Sequence, residues 1–190
     1  MLPGDPGRAL RLAQQLLDAP KMLNHHRGLW GYSGTAADGA PMTIQSTGLG
    51  GPGTAIVVRE LIELGARRLV RAGNCRSLVG AEPGSLVIAE SVLPQDGTSR
   101  ALGASDLLAP DPTLLAALRA AGNGAVAGRL VSADVMDGDW PDALALDLST
   151  AALFAVAAQH GVPVACVLAV AEADEPAEAE LGRVAAAALD

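Results

Sequence analysis

The sequence predicts an α/β domain in which helices pack on a buried parallel or mixed sheet, and three observations carry that prediction. Half of the 190 residues are apolar while only 2% are aromatic, so the core must be built from Ala, Val, Leu and Ile. Stretches of strand and helix pattern alternate along the chain. No internal repeat or low-complexity linker interrupts them, so residues 1–190 read as a single domain.

Asp5-Pro6 opens the first helix, with Asp as the cap and Pro in the first turn. Ala9, Leu12, Ala13, Leu16 and Leu17 follow at helical spacing, and the pattern stops before Pro20. Residues 29–33 and 42–46 read as two strands joined by a turn at Asp38-Gly39. Residues 48–53 form a glycine-rich loop, and a helix follows from Thr54 to Leu64, closed by Gly65. Residues 69–71 and 86–89 are short apolar strands, and Asp111-Pro112 repeats the cap-and-proline start for a helix ending near Gly122. Residues 125–131 and 143–148 read as strands, a helix runs on to His160, and 162–170 is a further strand. An Ala-rich helix ends the chain, with Glu178 and Glu180 placed to complement the positive end of its dipole.

Bulk properties exclude several functions. A net charge of −8 without any basic block argues against a nucleic-acid partner. The apolar run 151–171 is broken by Gln159, His160, Gly161 and Pro163, so no membrane span is expected. No basic-then-apolar leader opens the sequence, and Cys75 and Cys166 sit in separate apolar contexts as reduced thiols. A soluble cytoplasmic protein is expected. His25-His26 has no Cys, His or acidic companions at ligand spacing, so no metal site is expected, and His160 reads as a helix-end residue. Residues 48–53 lack the lysine and hydroxyl of a nucleoside-triphosphate loop.

Two segments can hold an anion. In Gly4-Asp5-Pro6-Gly7-Arg8, glycine admits close approach, the helix start aims free N–H groups outward, and Arg8 lies one turn in. The competing reading is a capped helix with a surface arginine. Arg71 ends an apolar strand, where a buried charge requires an anion or a carboxylate as partner, and where α/β sheets bind ligands.

Five segments occur in order: LPGDPGRA from Leu2, NHHRGLWGYSG from Asn24, TGLGGPG from Thr47, ELGARRLVRAGNC from Glu63, and SAD from Ser132. Together they resemble the nucleoside phosphorylase family, in particular its hexameric purine nucleoside and uridine phosphorylase branch. The resemblance implies a mixed sheet partly closed into a barrel and flanked by helices, in a homo-oligomer built from dimers, such as a trimer of dimers. It implies phosphorolysis of a purine or uridine-type nucleoside to ribose 1-phosphate and free base, with inorganic phosphate as co-substrate and no other cofactor. Gly4, Arg8, Arg71 and Asn74 would hold phosphate, and Arg27 would reach the phosphate of a neighbouring subunit.

The ribose and base side departs from the family pattern. Where the family carries Glu-x-Glu, the second Glu gripping both ribose hydroxyls, this chain reads Asp147-Leu148-Ser149, so the resemblance leaves Asp147 or Ser149 as the ribose contact, with Leu148 beside them. A serine hydroxyl lacks the charge and paired oxygens to accept both donors. The family's catalytic Ser-Asp is matched by Ala171-Glu172, which leaves Glu172 as the general acid. Arg76 replaces a Gly of the base pocket, Met136 stands for an aromatic that stacks on the base, and Leu49 and Cys75 complete that side. These departures keep a second reading open, a catalytically degenerate paralogue that retains phosphate binding and assembly as a structural or regulatory subunit. A nucleosidase-like hydrolase is disfavoured, because it has no need of the arginines.

Overall fold

The computed structural model describes residues 1–138, 140, 142–170 and 175–189. Helix α1 (Pro6–Leu16) leads into an antiparallel sheet of β1 (Asp18–Asn24), β2 (Gly31–Thr35) and β3 (Pro41–Gln45), with order β1-β2-β3. Helix α2 (Gly51–Glu63), β4 (Leu69–Ser77), β5 (Leu86–Pro94), α3 (Gly97–Ala101) and α4 (Pro112–Ala121) follow. The chain continues through β6 (Val126–Ser132), β7 (Ala145–Asp147), α5 (Thr150–His160), β8 (Val164–Val170) and α6 (Glu175–Ala187).

Five strands close into a mixed barrel of order β4-β7-β6-β5-β8, while the three-stranded sheet stays open. The pairs β4–β8, β5–β6 and β6–β7 are parallel, and β4–β7 and β5–β8 are antiparallel. This is the expected mixed sheet, partly closed. Its walls are aliphatic as the composition requires: β8 is buried along its whole length, and the single Phe, Phe154, is a buried residue of α5.

Residues 1–4 join the two sheets. Leu2 donates to the Val70 carbonyl and accepts from Ala72 N–H on β4. On the other side Gln45, Thr47 and Gly48 donate to the carbonyls of Met1, Pro3 and Gly4. The turn opening α1 is thereby fixed between β4 and the glycine loop.

Several boundaries differ from expectation. The loop glycines 51 and 53 lie inside the first turn of α2 rather than before it, because Pro52 starts a helix at no cost in N–H bonds. Strands β4 and β5 run on to Ser77 and Pro94, beyond the apolar residues that announced them, because the pairing with β8 and β6 carries them. Strand β7 is shorter than 143–148, and β1 and α3 have no counterpart in the expected elements. Glu178, expected only to complement the dipole of α6, instead reaches α1, where Arg8 Nε and Arg11 Nε donate to it at 2.9 and 2.6 Å.

Candidate active site

A cavity of about 630 Å³ opens where the start of α1 meets the carboxyl ends of β4 and β7. Its lining gathers Gly4 and Asp5 from the turn before α1, Pro6 and Arg8 from its first turn, Gly48 and Leu49 from the loop before α2, and Arg71, Asn74, Cys75 and Arg76 from β4. Met136 and the Asp147-Leu148-Ser149 segment complete it. Every expected site residue is therefore at one place except two. Arg27 stands exposed on a 3-10 turn, His26–Gly28, away from the cavity lining, and Glu172 lies outside the described residues, as does Ala171.

Local chemistry explains the α1 side. The Asp5 carboxylate accepts from Arg8 N–H at 2.7 Å, the capping bond that the Asp-Pro pair announced. Gly48, with φ +73°, turns the loop so that its N–H meets the Gly4 carbonyl. Arg8 is 4% exposed and pairs with Glu178 from the far end of the chain. Burial pushes the Glu178 carboxyl up, but hydrogen bonds and charge from Arg11 and Arg8 outweigh that, so it titrates below the ordinary glutamate value of 4.5.

Arg71 is the centre of the inner wall. It is 5% exposed, and its Nε donates to Asp147 Oδ2 at 3.1 Å while Nη2 donates to Ser149 Oγ at 3.3 Å. Its Nη1 is buried and has no hydrogen-bond partner among the described residues. Gly73 makes room for this arrangement, since a Cβ there would stand 3.0 Å from Arg71 Nη2 and 3.1 Å from its Cζ. An orphaned donor of a buried guanidinium is costly unless a ligand oxygen meets it. Arg71 thus has a carboxylate partner in Asp147 and, among the described residues, one guanidinium nitrogen without a partner, in a residue that lines the cavity.

Asp147 is fully engaged. Its Oδ1 accepts from Ser132 Oγ at 2.6 Å, and its Oδ2 from Thr150 Oγ1 at 2.7 Å as well as from Arg71. The backbone N–H groups of Ser149 and Thr150 add to these, so Asp147 caps α5 in place of Ser149, whose own side chain makes no capping bond. Neither oxygen remains open for a sugar hydroxyl, which moves Asp147 from the expected ribose contact to the support of Arg71. The sequence carried no signal for that pairing beyond the requirement that Arg71 have a partner.

Cys75 is buried against the cavity floor, and its thiol is pushed up to about 12, chiefly by burial, with Asp147 adding to the shift and Arg71 opposing it. It is no nucleophile at neutral pH. At the rim, Leu49 and Met136 are exposed, and Arg76 Nη2 donates to the Gly138 carbonyl at 3.1 Å. Among the described residues no group of three or more His, Cys, Asp or Glu side chains is placed to hold a metal ion, and no helix is long and apolar enough to cross a membrane.

Known proteins are similar to this chain in sequence and in fold. A uridine phosphorylase of Treponema pallidum is 40% identical over 124 residues, 63% of this chain and 46% of that protein. A DeoD-type purine nucleoside phosphorylase of an Exiguobacterium species is 31% identical over 189 residues, 90% of this chain and 79% of that protein. The chain thus spans less than half the length of the first relative and about four-fifths of the second. The solved structure of a uridine phosphorylase from Vibrio fischeri, complexed with 6-hydroxy-1-naphthoic acid, superposes with a TM-score of 0.87 at 26% identity, covering 99% of this chain and 88% of that one. The sequence profile of the Phosphorylase superfamily matches residues 1–189, the whole stretch that builds the barrel and the cavity, and the chain belongs to that superfamily.

Proposed function

We propose that the chain catalyses phosphorolysis of a nucleoside, in which inorganic phosphate takes C1′ of the pentose and the base departs. The observation that carries this reading is the buried, unpartnered Nη1 of Arg71 in a cavity that also holds the Gly4–Arg8 turn. Phosphate is held by Gly4 N–H, Arg8, Arg71 and Asn74, with Arg27 supplied by a second copy of the chain in a homo-oligomer. The C1′–N bond breaks with its electron pair going to the base, a phosphate oxygen forms the new C1′–O bond, and Glu172 donates a proton to the departing base. A fixed anion beside C1′ stabilises the positive charge that develops there, and the arginines fix it without reorganisation. The sugar and base lie against Ser149, Leu148, Cys75, Met136, Leu49 and Arg76. No metal takes part, and the two buried free thiols suit a cytoplasmic setting.

The test is phosphate-dependent release of base and pentose 1-phosphate across a panel of purine and pyrimidine nucleosides, charged ones included, with Arg71→Met as the comparison. Turnover that Arg71→Met abolishes supports the reading. Base release without phosphate consumption means hydrolysis and refutes it. Phosphate binding without turnover of any nucleoside is the signature of the phosphate-holding subunit.

A further inference from the structure

We propose that the cavity takes nucleosides that carry a negative charge of their own, and that Arg76 at its mouth selects them. The proposal rests on the phosphorolysis reading and adds the class of substrate. The lining holds three arginines, Arg8, Arg71 and Arg76, against two carboxylates, Asp5 and Asp147. Both carboxylates are already engaged, Asp5 on the start of α1 and Asp147 on Arg71, and Arg8 has Glu178.

Arg76 differs from the other two. Among the described residues it has no carboxylate partner, and its one hydrogen bond goes to a neutral carbonyl, that of Gly138. The remaining guanidinium N–H groups present a planar fork suited to a carboxylate, an ionised ring or a phosphate. One anion on Arg71 Nη1, with Gly4 N–H, Arg8 and Asn74 around it, leaves the Arg76 fork open for a second. A neutral nucleoside leaves Arg76 beside it with only the Gly138 carbonyl. Two sources share the required chemistry: a base ionised at neutral pH, and a phosphate on the sugar.

Equilibrium titrations with sulfate in place of phosphate, so that no turnover intervenes, separate these. The probes are inosine (neutral), xanthosine at pH 8 (ionised base) and inosine 5′-monophosphate (charged sugar). Because Arg76 is exposed before binding, the expected preference is moderate, about three- to ten-fold for one charged probe over inosine at low salt. It shrinks in high salt, disappears in Arg76→Gln and is kept in Arg76→Lys. Tighter xanthosine identifies the base as the charged part, and tighter inosine 5′-monophosphate identifies the sugar. Equal binding of all three by the unsubstituted chain, no binding of any, or a preference that persists in Arg76→Gln overturns the proposal. Phosphate titrated alone keeps the two readings apart. If phosphate binds and no charged preference exists, only the selectivity falls; if phosphate does not bind, phosphorolysis falls as well.

Discussion

Replacing Asp147 by Asn tests the logic of the site more sharply than removing an arginine. The substitution keeps shape and leaves one carbonyl oxygen for Arg71 Nε, and Ser132 Oγ can turn from donor to acceptor for the new amide. What it deletes is the negative charge behind a guanidinium that is 5% exposed and already has one orphaned nitrogen. Breaking one side of a buried ion pair costs about 3–5 kcal/mol, and the surviving neutral hydrogen bonds put this case near 3. For a chain of this size each kcal/mol moves the melting temperature by about 2–4 °C, so Asp147→Asn is expected to melt about 6–12 °C lower. Scanning calorimetry reads that shift, and phosphate titration of the folded variant reads the loss of Arg71 orientation as at least about ten-fold weaker binding. The double variant Arg71→Met, Asp147→Asn removes the uncompensated guanidinium and keeps an oxygen to cap α5, so it recovers part of the stability but not the phosphate binding. A single variant that melts within about 2 °C of the parent, less than 1 kcal/mol on this scale, and binds phosphate equally refutes the assignment of Asp147 as the support of Arg71.

Acid and thiol chemistry give two further outcomes. Glu178 titrates below 4.5 when folded, so the unfolded chain takes up its proton first; its stabilisation is complete above that value and is lost as pH falls through the folded pKa. Urea midpoints of the parent and Glu178→Gln should therefore differ at neutral pH and converge in acid, and a gap that widens in acid contradicts the pairing with Arg8 and Arg11. Cys75 and Cys166 are both pushed up by burial, Cys75 to about 12, so Ellman's reagent at pH 8 should find no thiol until denaturant is added. Rapid reaction of the native protein would place one of them outside the core.

How much of this was legible in the sequence depends on whether the governing contact is local. The start of α1 was, because an Asp-Pro pair and its Arg8 N–H lie within three residues. So was the end of α5 at His160, after which Gly161 takes the left-handed conformation. Strand β1 was not: Asp-Ala-Pro-Lys-Met-Leu-Asn has no alternation, all but its last residue is exposed, and only pairing with β2 makes it a strand. The polar end of β4, Gly73 to Ser77, was equally silent, since its extended form follows from β8 and β7 alongside. In the site, the cavity residues could be named from motif order, whereas the partners that orient them could not. Arg8 finds Glu178 170 positions away and Arg71 finds Asp147 76 positions away, and no local pattern encodes either pairing.

Those separations set the order in which the molecule can be completed. Strand β4 stays without one neighbour until β8 arrives, a contact spanning 94 residues at Cys75 and Ala169. A chain emerging from the ribosome at about 5–20 residues per second holds its first anion-binding turn exposed for many seconds before the last helix brings Glu178 to Arg8. Closing so distant a pair costs loop entropy before any contact repays it, which places the barrel among slow-folding topologies. The site is thus complete only after β8 and α6 have been made, and a nascent chain has no way to engage its ligand before then.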